Sequence, residues 1–257
     1  MRNTKMVFWA VLFINCLSFF VNIAKANELP EDVIMIKEKL ITTTNLIQIS
    51  ETYKQTLVHQ MFGLTSVIKE ELFESSQFFL LVDRNPNSQT ISLAFFDANE
   101  KMVTILGTEK TSTGKPSRIG SYETPVGIFQ NNPKNMSYRA LGTKNSKGWR
   151  GFGIKGSRVW DLGWQKSKHP KGGDINIRML VHATDPDFGE KRLGQQDSKG
   201  CVRLSAKLNR FLDYYGIIDA EYEKNPKGKY VLLKDRLPVN FAGSLIVVID
   251  TTETIKM

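Results

Sequence analysis

The sequence contains few of the residues that bind metals or form disulfides: two cysteines and three histidines in 257 residues. A structural zinc site needs about four such ligands at short spacings, and the sequence offers no such spacing, so we predict no metal site. It also has no nucleic-acid-binding motif and no internal repeat. No cofactor is predicted from these residues.

Long apolar runs are equally scarce, and the clearest one lies at the N terminus. Arg2 and Lys5 precede an apolar run over residues 6–21, and small residues follow at Ala24 and Ala26. This order is typical of a secretory signal peptide cut after Ala26. An uncleaved anchor helix is the alternative, but the run is short for a membrane span. We therefore expect residues 1–26 to be removed, with no stable membrane span left.

Cleavage after Ala26 would remove Cys16 and leave Cys201 as the one cysteine among 231 residues. Exported proteins usually pair their cysteines, so a lone thiol indicates an intermolecular bridge or a reactive group. An inert buried cysteine is the plain alternative. Lys199 and Gly200 beside the thiol argue against deep burial.

The net charge of the whole chain is +9. The signal segment carries three basic residues and no acidic one, so its removal lowers the charge by three, to +6. A basic exported protein suits an anionic partner such as a cell wall or lipid headgroups. Nucleic acid is the usual rival, but export and the missing motif argue against it.

Apolar periodicity divides the chain into a helical start and a strand-rich remainder. We predict an N-terminal helical region over 27–75, a second domain over 76–250 and a tail over 251–257. The predicted helices are 31–48, 51–74 and 204–215, and the predicted strands are 78–82, a half-buried strand over 91–95, 102–106, 175–181 and 245–249.

The segment from Ser198 to Arg203 surrounds the thiol of Cys201, and His182 ends an apolar strand sixteen residues before Ser198. A thiol becomes a good nucleophile when a neighbouring base takes its proton. We predict that Cys201 is a nucleophile and His182 its base. A structural histidine is the alternative. A helix starting just after Cys201, together with Lys199 and Arg203, would lower the pKa of the thiol.

Three tryptophans, Trp149, Trp160 and Trp164, lie in a region rich in lysine, arginine and glycine. They either line a groove for an anionic, partly apolar ligand or cover the sheet from outside. His59 and His169 have no metal-ligand partners at useful spacing. We predict a structural or solvated role for His59 and an exposed loop position for His169.

These residues resemble the L,D-transpeptidase catalytic domain family of the YkuD type. The family motif is a histidine and, after a short interval, Ser/Thr-His-Gly-Cys, an apolar residue and Asn or Arg. Here it reads His182 and then Ser198-Lys199-Gly200-Cys201-Val202-Arg203, with Lys199 in place of the usual second histidine. Segments 112–116 and 124–129 also resemble those that precede the motif. The likeness covers about residues 77–205 and extends toward 250.

The resemblance implies a mainly β, sandwich-like catalytic domain that follows a short α-helical N-terminal region. It also implies action on peptidoglycan stem peptides, in the periplasm or cell wall of a bacterium. Cys201 would form a thioester, His182 would carry the proton, and backbone N–H groups near Gly200 and Cys201 would stabilise the oxyanion. Ser198 would shape the loop. Arg203, Lys199 and the three tryptophans are candidate substrate contacts. No metal is implied.

Several outcomes remain open at this level. The acyl acceptor could be a second stem peptide or a wall-attached protein. Water as acceptor would make the protein a carboxypeptidase or another hydrolase on the same scaffold. A wall-binding protein with an inert thiol is the non-enzymatic alternative. Lys199 in place of histidine leaves the way in which substrate is held undetermined.

Overall fold

The structure, a computed structural model, describes residues 29–68 and 70–252. The predicted signal peptide, Cys16 and the end of the predicted tail lie outside these residues. The helices are α1 (Glu31–Thr43), α2 (Glu51–Ile68), α3 (Ala206–Tyr214) and α4 (Ala220–Lys224), and the strands are β1 (Gln77–Asp83), β2 (Thr90–Asp97), β3 (Met102–Lys110), β4 (Gly127–Gln130), β5 (Tyr138–Arg139), β6 (Arg158–Lys168), β7 (Asp174–Ala183), β8 (Val202–Leu204) and β9 (Leu245–Ile249).

The strands form two sheets. The first has the order β3-β2-β1-β9-β4, and the second has the order β5-β6-β7-β8. In the first sheet the C-terminal strand β9 runs parallel to β1 and antiparallel to β4, so it joins the start of the domain to its middle. In the second sheet β6 and β7 form a long antiparallel hairpin, and β8 pairs with β7 in parallel.

One core lies between the two sheets. Phe78, Leu80 and Ile246 face it from the first sheet, and Trp160 and Val181 face it from the second. Helices α1 and α3 contribute to the same cluster. Two apolar sheet faces packed against each other define a sandwich. The predicted mainly β, sandwich-like domain is confirmed.

A second apolar cluster covers the other face of the first sheet. Leu57 and Met61 of α2 pack there with Phe79, Leu81 and Val247. Both faces of β1 and β9 are therefore buried, which explains their uninterrupted apolar sequences. The same apolar cluster includes residues of β2, which is buried along nearly its whole length. The prediction of a half-buried strand there is therefore wrong.

The first two helices end earlier than predicted, at Thr43 and Ile68. At the end of α1 the hydroxyls of Thr42, Thr43 and Thr44 donate to main-chain carbonyls three or four residues back. Such local bonds, together with β-branching, weaken a helix. Within 29–68 and 70–252, no helix has the length and apolar character needed to cross a membrane.

Candidate active site

Strand pairing brings the predicted nucleophile and base to one face of the second sheet. In the β7–β8 ladder Val181 is level with Val202, and His182 is level with Arg203. Cys201, just before β8, therefore lies level with Leu180. Side chains alternate along strands, so Leu180 and His182 share a face with Cys201 and Arg203. The Cys201 side chain packs against the cluster that contains Leu180, and the thiol and His182 both line one pocket.

His182 is held as a neutral imidazole in a single tautomer. Its ring is buried, and Nδ1 lies 2.7 Å from the carbonyl oxygen of Ala183. That oxygen can only accept, so Nδ1 carries the proton and Nε2 is left as the basic nitrogen. Burial first, with the positive charge of Arg203 in addition, lowers the pKa of His182 from 6.5 to about 4, although the hydrogen bond to Ala183 acts in the opposite direction. The ring of Phe152 packs nearly perpendicular to the imidazole, with 4.8 Å between the ring centroids.

Cys201 is a free, partly exposed cysteine. Burial raises the pKa of its thiol above the ordinary value, although a hydrogen bond from the Leu180 backbone and the charge of Arg203 lower it. The expected helix dipole does not act here, because β8 follows the cysteine and α3 begins only at Ala206. The prediction of a lowered thiol pKa is therefore wrong. At rest both partners are neutral.

Ser198 stabilises the loop before Cys201 through two hydrogen bonds, and Gly200 in this loop adopts a backbone conformation that favours glycine. The Ser198 hydroxyl donates to the Cys201 carbonyl at 2.6 Å and accepts from the Gly200 N–H at 3.0 Å. The Gly200 N–H thus has a partner already. Gly200 has φ +132°, and a Cβ there would lie 2.6 Å from Cδ1 of Ile177. Thr124 Oγ1 donates to the Gly200 carbonyl at 2.9 Å.

The two upstream segments hold the same loop. The N–H of Ser198 donates to the Thr113 carbonyl at 2.9 Å, and the N–H of Lys115 donates to the Ser198 carbonyl at 3.0 Å. The Gly114 N–H donates to Thr124 Oγ1 at 2.9 Å. The segments 112–116 and 124–129 therefore support the backbone of the thiol segment.

The pocket around the thiol has a volume of about 760 Å³ and an excess of positive charge. Among the described residues that line it, one is acidic, Asp197. Such a pocket attracts an anionic ligand. The basic side chains that line it are Arg118, Lys147, Arg150, Arg192, Lys199 and Arg203.

Asp197 holds three of these arginines around one carboxylate, an arrangement that the sequence analysis missed. Its oxygens lie 2.8 Å from Arg203, 3.1 Å from Arg118 and 3.3 Å from Arg192. Three positive charges share one negative charge, so the cluster keeps a net positive charge. Arg118 is distant in sequence, and no local pattern connects it with Cys201.

The three tryptophans occupy different environments. Trp149 lines the pocket, and the guanidinium of Arg192 lies 4.6 Å from its ring centroid. Trp160 is fully buried, and its Nε1 donates to Asp219 at 3.2 Å, so it is a core residue and not a substrate contact. Trp164 is 67% exposed and lies outside the pocket.

The remaining lysine and histidine residues considered in the sequence lie in different parts of the molecule. Lys199 is exposed at the rim of the pocket. His59 is exposed on α2, and His169 is half-buried in the β6–β7 turn, where its Nδ1 accepts from the Lys171 N–H at 3.1 Å. Within 29–68 and 70–252, no three His, Cys, Asp or Glu side chains form a cluster suited to a metal ion.

The fold is a two-sheet β domain in which a histidine at the end of one strand and a cysteine beside the adjacent strand line one pocket. The chain belongs to the YkuD family, the L,D-transpeptidase catalytic domain, which matches residues 80–232. The predicted resemblance is thereby confirmed. No curated protein matches the chain.

Solved structures also match, among them the helical cell shape determining protein Pgp2 (K307A mutant) from Campylobacter jejuni. The two chains are 12% identical, with a TM-score of 0.30. The match covers 76% of this chain and 55% of that chain, so this chain spans about half the length of its neighbour.

Proposed function

We propose that the protein is an exported, cysteine-dependent peptidoglycan L,D-transpeptidase that uses Cys201 as nucleophile and His182 as base. The observation that carries this proposal is the shared face: a thiol and a neutral imidazole on adjacent strands line one cationic pocket of a YkuD domain. The domain limits stay predictions, with a signal peptide over 1–26, a helical region over 27–75, the catalytic domain over 76–250 and a tail over 251–257.

In the proposed first step the Cys201 sulfur attacks the carbonyl of the third stem residue. The thiol proton passes to Nε2 of His182, and the same nitrogen returns it to the departing amine of the terminal D-alanine. One C–N bond breaks and one C–S bond forms, which gives a thioester. The amine of a second stem peptide, or of a wall-attached protein, then displaces the sulfur.

The positive pocket fits the charge of this substrate. A stem peptide ends in a carboxylate, and a guanidinium binds a carboxylate with paired, charge-assisted hydrogen bonds. Arg203 is next to both reacting side chains, and Asp197 fixes its position at 2.8 Å. We assign Arg203 and its neighbours Arg118 and Arg192 to the terminal carboxylate. Lys199 at the rim adds charge.

The backbone has a defined part in the proposed reaction. The Gly200 N–H is already bound to Ser198, so the Cys201 N–H is the better candidate for the oxyanion. Loss of one such donor typically costs about a hundredfold to a thousandfold in rate. Ser198 acts on the loop and not on the substrate.

The direct test is to incubate the mature protein with purified tetrapeptide muropeptides and to measure product masses. Cys201→Ala is the control for every product. A Cys201-dependent dimer that has lost one D-alanine supports transpeptidation. A Cys201-dependent tripeptide without dimer favours the hydrolase alternative. Equal masses with both proteins contradict the proposal and favour a wall-binding protein.

The pH dependence of the reaction follows from the pKa of His182. The imidazole must be neutral to accept a proton, and its pKa is about 4. We therefore expect kcat/KM to stay nearly constant from pH 8 to about 5 and to fall only near pH 4. Initial rates between pH 3.5 and 8, with folding checked by circular dichroism, measure this. A fall centred near pH 6.5 would contradict the buried, neutral base.

A further inference from the structure

The sheet face that carries Cys201 continues well beyond the pocket. Arg178, Leu180 and His182 alternate along β7 and therefore point to the same side. In the β6–β7 ladder Asp161 is level with Leu180, and Trp164 is level with Arg178. Trp164 thus shares the face of the candidate nucleophile, and it is 67% exposed.

A β-bulge puts Trp164 on this face. The register shifts between Asp161 and Trp164, which inserts one extra residue into β6. If the strand continued from Asp161 in strict alternation without this bulge, residue 164 would share the face of Leu162 and point toward the core. Gly163 makes the bulge, since it has φ +77° and a Cβ there would lie 2.6 Å from the Asn135 side chain. Bulges often re-aim a side chain beside a functional site.

Arg178 lies between Trp164 and the thiol, and the buried carboxylate of Asp161 fixes the position of its guanidinium. Its Nε and Nη2 donate to Oδ2 of Asp161 at 2.8 and 2.6 Å. Asp161 is fully buried, whereas the Arg178 side chain is 52% exposed. A tethered guanidinium with exposed edges is pre-organised for a carboxylate, because little side-chain entropy is lost on binding.

The spacing of these groups matches a short peptide. Trp164 lies two strands from Cys201 across the sheet and two residues along it. Sheet spacings therefore put their Cα atoms about 12 Å apart. Three extended residues span about 10 Å. A stem peptide joined to Cys201 through its third residue would thus bring its sugar end to Trp164.

We propose that Arg178 and Trp164 form a second subsite, which binds the glycan-proximal part of the acyl donor. This inference rests on the proposed function. A sugar ring stacks its apolar face on the exposed indole, and a carboxylate of the second stem residue pairs with Arg178. The terminal carboxylate lies on the other side of the thiol, in the pocket around Arg203. The donor therefore crosses the sheet face in one extended conformation.

The test compares two donors, a disaccharide-tetrapeptide and the same tetrapeptide without sugars. We expect wild-type kcat/KM to be about tenfold higher with the sugars, the size of one good aromatic contact. In Trp164→Ala the ratio between the two donors should fall to about one. Trp164→Phe, which keeps a ring, should retain part of it. Tyr230→Ala removes another exposed aromatic, 72% exposed, and should keep the wild-type ratio.

The outcomes separate the two proposals. A wild-type enzyme that turns over both donors equally, or a Trp164→Ala variant that keeps the full sugar preference, overturns the subsite and leaves the proposed function standing. A wild-type protein that acts on neither donor overturns the proposed function, and the subsite with it.

Discussion

His182→Gln lowers kcat/KM on tetrapeptide donors about a thousandfold, within the range usual for loss of a general base. Glutamine can still donate to the Ala183 carbonyl, but it has no basic nitrogen to take the thiol proton. The thiol pKa is raised by burial, so little thiolate exists at neutral pH to compensate. Initial rates of D-alanine release at pH 7 measure the effect.

The chain supplies two matched controls for this substitution. His59→Gln and His169→Gln make the same chemical change on α2 and in the β6–β7 turn, at residues that do not line the pocket around the thiol. Both should keep the wild-type rate. A His182→Gln variant within threefold of wild type would show that His182 is structural. An equal loss in either control would show that the assay reports folding and not proton transfer.

Arg158→Met destabilises the fold by about 3–5 kcal/mol, the usual cost of leaving a buried charge without its partner. Arg158 and Asp219 are both fully buried, with Nη2 and Oδ1 3.1 Å apart. Trp160 and Asn131 donate to the same oxygen. Without the guanidinium, Asp219 must ionise alone in the core or take up a proton. Urea unfolding followed by circular dichroism measures the change.

The pH dependence of this variant has a definite sign. Burial already raises the pKa of Asp219, and loss of Arg158 raises it further. The unfolded carboxyl ionises at a lower pH, so Arg158→Met recovers stability relative to wild type as the pH falls toward the unfolded value. Adding Asp219→Asn should recover much of the loss at pH 7. Arg210→Met breaks the exposed pair with Asp235 and should cost under about 1 kcal/mol. Equal losses from the exposed and buried pairs would contradict this account.

The elements themselves could be predicted from local patterns, but their order in the sheets could not. The apolar runs of β1 and β9 indicate strands because β-branched and aromatic residues cluster there. Nothing in either run shows that the two pair in parallel, 166 residues apart in the case of Val82 and Val248. The burial of β2 on both faces depends on its packing with α2, and no local sequence pattern indicates that contact.

The candidate site also combines residues that the sequence identifies with contacts that only the fold creates. Cys201 and His182 are marked by a motif in one stretch of sequence. The ion pairs of Asp197 with Arg118 and Arg203 depend on the fold, and so does the burial that keeps the thiol protonated. The three residues of β8 decide the thiol's environment, because they separate it from the start of α3. Trp160 and Trp164 are four residues apart, yet the bulge at Gly163 puts one in the core and one in solvent.

The hydrogen bond from His182 Nδ1 to Ala183 has a kinetic consequence. With that nitrogen committed to the backbone, Nε2 alone can exchange protons with the reacting groups. In the proposed reaction the departing and the incoming amine must reach the same atom, one after the other. The first product therefore leaves before the second substrate binds productively. Double-reciprocal plots at several acceptor concentrations should therefore give parallel lines, which indicate a double-displacement mechanism. The main-chain carbonyl of Ala183 sets this order because it leaves His182 a single nitrogen for proton transfer.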